Sequence, residues 1–469
     1  MKTRRIAVGL LAVAMAASGY GQQPSVDQRL EQLEQEILIL KRQRELDQES
    51  AQQKATEAAK TTPIVKAGQD GFALQSADGN FILRLKGYAQ ADARFYLDDT
   101  AGKAPANGTD TFLLRRARPI LEGTLYKDFD FRLMTDFGNG AATANLIQDA
   151  WVEWKHWPEL KLRIGKYKPE VGLEQLQQDQ WLFFAERGLP SDLVPNRDVG
   201  AQLSGDLFGG IIHYAGGVYN GVVDGGIADL DTFDSKDGAA RIFVQPFKTT
   251  GIDPLKGLGL GAGGTVGNQQ FTGSSTNLPT YKTTGQNTVF SYISGTAPNG
   301  LETRFTPQGY YYWGPVGLLG EYVVDDQQFQ RAAVVDHIRN TAWQIQGSVV
   351  LTGEKATYTG VTPAHPFDLS KGNWGAFELV GRYGDLRIDP SAFSTATTAL
   401  RFVDPTKSAQ EARQWGVGVN WYLNKNVKLV LNYEQTEFDG GAGTTVAPTY
   451  NVQNRQIERI LLTRAQFTF

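Results

Sequence analysis

The chain contains no cysteine, 3 methionines and 4 histidines. Without thiols there is no disulfide framework, no thiolate metal site and no cysteine nucleophile. His156, His213, His337 and His365 are spread along the sequence, so a histidine-built metal site has little support. A membrane-spanning apolar run is also missing. Mean hydropathy is −0.33, and the one N-terminal apolar stretch, Ile6 to Ala17, falls short of the ~20 residues a spanning helix needs. Positive charge is not in excess either: the formal net charge is −4, which argues against a nucleic-acid partner.

What is present begins with a secretory pattern. Lys2, Arg4 and Arg5 precede the apolar stretch and small residues follow it, so residues 1–21 read as a cleavable signal peptide. Residues 22–62 read as a periplasmic helical segment and linker. Val26, Leu30, Leu33, Ile37 and Leu40 fall at alternating spacings of four and three, an a/d seam of just over two heptads. So short a seam needs a larger body to bring its copies together. A solvated amphipathic helix is the alternative. Thr61, Thr62 and Pro63 end the segment.

From about Gly79 the apolar period changes to two. Leu83, Leu85, Ala89, Ala91, Ala93 and Phe95 share one face; Arg84, Lys86, Gln90, Asp92 and Arg94 share the other. The same design recurs through residues 129–167 and 414–434, and in the last strand, which ends on Phe469. Lipid leaves no backbone group unpaired, so strands can cross a bilayer only in a closed barrel, at ~10 residues per crossing. Tight turns near Lys127-Asp128, Pro158-Glu159 and Asn424 to Asn426 alternate with long polar loops, including Asp389 to Glu411 and Asp439 to Asn454. The expected fold is therefore all-β: a sixteen-stranded antiparallel transmembrane barrel over residues 63–469, preceded by a short coiled coil. A lumen of this size holds water. A terminal aromatic in such a strand looks like the assembly signal of bacterial outer-membrane barrels, which makes the barrel-assembly machinery and outer-membrane lipid expected partners.

Residues 169–198 carry no strand pattern but are rich in bulky and charged groups, among them Glu174, Gln175, Trp181, Phe183, Phe184, Glu186 and Arg187. A long, aromatic-rich connection of this kind is a functional loop. Folded inward, it would narrow the pore. Basic residues cluster in the first five strands, and guanidinium groups suit oxyanions because their donors form a planar fork. A row of weak sites lets ions enter and leave a pore. Yet residues 80–170 hold 14 Lys and Arg against 12 Asp and Glu, so crosswise neutral pairing is an open alternative. The GxGxxG match at Gly259 to Gly264 has no helix after it and reads as a smooth strand face. The acidic pairs Asp98-Asp99 and Asp325-Asp326 read as solvated loops. No serine with a nearby histidine stands out, and no catalysis and no cofactor are expected.

The stretches Phe112 to Thr124, Asp149 to Trp154, Leu162 to Glu174, Ala185 to Arg187 and Asn196 to Gly200 resemble the phosphate-selective porin O/P family, as do Leu351 to Glu354, Phe377 to Leu379 and Gly416 to Leu431. The resemblance implies a trimeric sixteen-stranded outer-membrane porin, with arginines leading to lysines at an inward third loop. It puts Arg115 and Arg116 on family arginine positions and Lys166 on a basic position before the loop. Arg118, Arg132, Arg163 and Lys168 complete the expected path for small anions such as phosphate or polyphosphate. By the same alignment, Asp130 and Gln175 stand where phosphate-specific members carry lysines, and Gln148 replaces an acidic residue. Lys168 could offset that loss. A general or cation-tolerant pore and a non-conducting adhesin or anchor are the alternatives.

Overall fold

In the computed structural model the described residues are 25–97, 107–138, 146–230, 234–270, 278–393, 401–444 and 451–469. The signal segment and the Asp98-Asp99 pair lie outside them. The chain divides into two compact units, residues 1–62 and 63–469. In the first, Val26–Thr61 forms one uninterrupted helix, longer than the seam alone requires. Its seam residues Val26, Leu30, Leu33, Ile37 and Leu40 are all at least half exposed in the single chain.

The second unit is a closed barrel of sixteen antiparallel strands: β1 (Phe81–Leu97), β2 (Thr111–Leu125), β3 (Phe129–Thr135), β4 (Ile147–Trp157), β5 (Leu160–Tyr167), β6 (Asp198–Leu207), β7 (Ile212–Tyr219), β8 (Asp237–Val244), β9 (Leu258–Gln270), β10 (Thr296–Trp313), β11 (Val316–Arg331), β12 (Val334–Val350), β13 (Ala376–Arg387), β14 (Ala409–Tyr422), β15 (Val427–Thr444) and β16 (Glu458–Thr468). Each pairs with its chain neighbours, and β16 closes onto β1 from Arg459↔Leu97 to Thr468↔Tyr88. Phe469 extends the seam: its N–H donates to the Gly87 carbonyl at 2.9 Å, and its own carbonyl accepts from the Gly87 N–H at 3.0 Å. A hairpin of residues 64–68 and 71–75 adds to the edge of β1.

The burial pattern is inverted relative to a water-soluble sheet. Leu85, Leu133, Val152, Ile164, Leu203, Val218, Ile242, Leu260, Phe305, Ile345, Val417 and Leu431 are exposed, while Gln90, Arg116, Asp149, Arg304, Gln344, Arg382, Asn420, Glu434 and Arg464 are buried. Period-two alternation therefore puts hydrocarbon-compatible groups outside and polar groups in the lumen.

Two connections break the expected alternation of loop lengths. The β11–β12 turn is only residues 332–333, whereas the β12–β13 connection on the opposite rim runs through 351–375. Leu351 to Glu354, matched above to a late strand, begins that connection rather than continuing a strand. The 439–454 region is also not simply loop: β15 runs on to Thr444 and pairs with residues 451–454. Asp325 and Asp326 lie inside β11, not in a loop.

The lumen is not filled by water alone. Val171, Leu189, Leu193 and Val194 of the 169–198 loop pack with Tyr281 and Phe290 of the β9–β10 connection, with Phe402 of the β13–β14 connection, and with Val323, Phe329, Ile338, Leu386 and Phe438 of the wall. Burying these apolar groups inside the barrel fixes the loops against β11–β15 and leaves open space beside β1–β5.

Candidate functional site

The 169–198 loop leaves β5 and crosses the bore. It carries one helical turn, Leu173–Leu176, and two 3₁₀ turns, Asp179–Trp181 and Leu189–Leu193. Its far side is tied to the wall by polar groups of inward parity. Glu321 on β11 accepts from the Leu173 N–H at 2.7 Å. Gln344 and Gln346 on β12 each donate to Glu174 at 2.7 Å, and Arg382 on β13 pairs with it at 3.1 Å. Asn420 donates to the Phe183 carbonyl at 2.9 Å, and Asn432 accepts from the Ala185 N–H at 2.8 Å. Gly263 shows why β9 is smooth here: a Cβ at that position would lie 2.8 Å from the Val171 carbonyl oxygen. The absent side chain admits the loop backbone.

Two loop carboxylates collect the arginines of the wall. Glu186 meets Arg115 at 2.6 Å, Arg464 at 3.2 Å, and Arg94 and Arg116 at 3.4 Å. Asp179 meets Arg116 at 3.3 Å, together with Arg118 and Arg187. Arg118 also binds Asp136 at 2.6 Å and the Tyr88 hydroxyl at 2.7 Å, and Arg464 grips both oxygens of Asp92 at 2.7 Å. All these groups are largely buried. A buried charge is tolerated only when paired and hydrogen-bonded, so the network pins the loop to β1, β2 and β16.

Beside this network lies a cavity of about 270 Å³, bordered on one side by Arg132, Trp151 and Arg163 of the wall and on the other by Lys168, Gln178 and Asp179. Arg132 and Gln178 also border a larger space, about 500 Å³, that opens toward the short-turn rim past Lys86, Glu122 and Lys428. The two spaces therefore adjoin. Arg163 pairs with Glu153 at 2.7 Å and stacks on Trp151, its carbon 4.5 Å from the ring centre. Arg132 pairs with Asp149 at 3.1 Å. Two lysines differ. Lys168 donates to the carbonyls of Gln175 and Gln177, and Lys428 donates to the carbonyl of Leu182 at 3.1 Å. Among the described residues neither forms a carboxylate ion pair.

The structure thus brings Arg115, Arg116 and Arg118 into one network with Glu186 and Arg187, and sets Arg132, Arg163 and Lys168 around the cavity. Lys166 goes elsewhere: it shares the parity of Leu162 and Ile164 and pairs with Asp229 in the β7–β8 connection. Glu174 and Gln175 are buried at the loop's turn, Glu174 as an anchor and Gln175 through the carbonyl that holds Lys168. Asp130 stands apart, paired with Lys155 at 2.7 Å. Asp179, Arg197, Lys428 and Arg464 were not among the expected site residues. Parity alone marks Lys428 and Arg464 as inward, but nothing local distinguishes a loop aspartate that will meet three guanidinium groups.

Comparison with known proteins agrees with the barrel fold. The family described as phosphate-selective porin O and P matches residues 83–469. Porin O of Pseudomonas aeruginosa is 26% identical over 421 residues, covering 80% of this chain and 87% of that protein. Among solved structures, an anion-selective porin from Comamonas acidovorans aligns at 12% identity with a TM-score of 0.50, over 83% of this chain and all of the other. The outer membrane channel DcaP of Acinetobacter baumannii aligns at 11% identity and a TM-score of 0.50, over 85% and 99%.

Proposed function

From the premise that this chain belongs to the phosphate-selective porin O and P family, we propose that it is a passive outer-membrane pore for small anions, phosphate-like oxyanions among them. The observation that carries the reading is the pair of carboxylate-free lysines, Lys168 and Lys428, at the borders of the two adjoining cavities. Their amino groups donate to loop carbonyls rather than carboxylates; burial and then Arg187 and Arg197 hold the Lys168 pKa well below the usual lysine range, with Asp179 and Asp149 acting against that shift. Lys168 lies against residue 175, so it supplies charge where Gln175 does not. Arg132 and Arg163, each held by a carboxylate, keep the intervening wall basic enough to interact with an oxyanion and neutral enough to release it. Carboxylate pairing of Arg115, Arg116 and Arg118 supports modest selectivity and makes them chiefly supports of the loop. The protein works as a homotrimer, and the Val26–Thr61 helices of three copies associate through their seams in the periplasm. In this reading the 1–21 segment directs export and Phe469 is the assembly signal.

The test is the zero-current potential of the purified porin in planar bilayers under a KCl gradient, followed by phosphate addition. Anion preference, with chloride current reduced by phosphate, is expected. Cation preference rejects the reading in favour of a general pore, and absence of single-channel steps favours a non-conducting anchor.

A further inference from the structure

A second charged cluster lies on the other side of the barrel and takes no part in the path. Glu302 on β10, Asp325 on β11 and Asp224 in the β7–β8 connection each present a carboxylate oxygen, and the three oxygens lie within 4.8 Å of one another. All three residues are at least 96% buried. A single guanidinium, Arg304, serves them: it reaches Glu302 at 2.5 Å, Asp224 at 2.7 Å and Asp325 at 3.8 Å, with Asp237 a fourth carboxylate at 3.9 Å. Among the described residues, Asp224, Glu302 and Asp325 share one guanidinium, which leaves a buried negative excess that is costly without further compensation.

The unmet valence is localised. Glu302 Oε2 and Asp325 Oδ1 are buried and accept no hydrogen bond among the described residues. The Tyr292 hydroxyl is also buried. Asp224 is fixed from outside by the Tyr281 hydroxyl at 2.9 Å. Two orphaned carboxylate oxygens beside a third carboxylate, in a site offering no nitrogen or sulfur donor, have the chemistry of a hard-cation site. Calcium–oxygen distances of ~2.3–2.6 Å let one ion touch oxygens up to ~5 Å apart. Donors from two strands and a loop form a flexible set, which favours calcium over the stricter octahedron of magnesium.

We propose that Asp224, Glu302 and Asp325 bind one calcium ion, which ties the β7–β8 connection to the β10–β11 wall. That connection in turn meets the constriction loop, since Gly225 N–H donates to the Val194 carbonyl and Asn196 N–H to the Gly226 carbonyl. The ion would therefore brace the loop from behind.

The test uses the full-length porin in detergent, stripped with EDTA and titrated with terbium, whose emission is sensitised by nearby tyrosines such as Tyr281. Saturable emission displaced by calcium is expected, together with a melting midpoint that falls on stripping and recovers with calcium. Asp325→Asn and, separately, Glu302→Gln should each weaken terbium binding at least roughly tenfold. Wild-type protein whose emission and melting are indifferent to calcium overturns the proposal, whether or not the variants fold. So does calcium-displaceable emission that persists unchanged in either folded variant, because the ion then sits elsewhere. In both cases the carboxylates share protons instead.

Discussion

Replacing Lys168 with glutamine removes one positive charge from the narrow part of the lumen and keeps a donor for the carbonyls of Gln175 and Gln177. A monovalent anion passing ~6 Å from that ammonium gains about 0.7 kcal/mol if the intervening medium behaves like water, and about 2.8 kcal/mol at an effective dielectric of ~20. The loss therefore corresponds to roughly threefold to hundredfold in relative anion permeability. Charged and amide side chains line the cavity and a bore of this size holds water, which favours the lower end. The zero-current potential in a KCl gradient measures the change directly. The effect should be largest in ~0.1 M salt, where the Debye length is about 10 Å, and should shrink in 1 M salt, where it is about 3 Å. Lys168→Arg should retain the wild-type potential. The reasoning is refuted if Lys168→Gln matches wild type in dilute salt, or if its shift does not depend on ionic strength.

Three further outcomes follow from particular contacts. Glu186→Gln leaves Arg94, Arg115, Arg116 and Arg464 facing a neutral amide, so loop attachment should weaken by about 3–5 kcal/mol; a lower melting midpoint and noisier single-channel current are expected, and an unchanged melt would show that Glu186 is not an anchor. Gly263→Val would place its Cβ about where the Val171 backbone now passes, 2.8 Å from the carbonyl oxygen, so the loop must shift; altered conductance with the barrel still folded is expected, and identical conductance would contradict the packing. At the short-turn rim, Lys425 lies 2.5 Å from Asp70 and lowers its pKa by hydrogen bonding and charge. A depressed carboxylate contributes stability above its unfolded pKa and loses it as pH falls through the folded value, so the tie should fade below about pH 4. Because the pair is exposed, the effect is small, and it should vanish in Asp70→Asn, as acid melts of the two proteins can check.

Strand existence was readable because it is a local property. Each residue's neighbours two positions away share its face, and the contrast between Leu83-Leu85 and Arg84-Lys86 survives without any knowledge of the partner strand. The Gly259 to Gly264 run was readable as strand for the same reason. The loop was readable as unusual but not as a set of contacts. Crosswise pairing between neighbouring strands was the open alternative for the arginines, and Arg132 with Asp149 fits it. Arg115, Arg116 and Arg118 instead reach acids up to 71 positions away on the loop. Asp325 was read as a loop residue because an Asp-Asp pair is a strong local breaker signal, whereas an inward strand position beside Arg304 overrides that preference.

By itself, then, the amino-acid order determined that odd and even side chains would part between lipid and lumen, and that a long loop would interrupt the series between β5 and β6. Those outcomes depend on periodicity and on the need to pair every backbone group in a bilayer. Only the closed barrel decided which charges cancel. Glu186, Asp179 and the wall arginines are far apart in sequence and become neighbours once the loop has crossed the bore, while Lys168 and Lys428 are met by carbonyls instead of carboxylates. Electrostatic character is a sum over distances in space, and those distances are set by closure and loop packing.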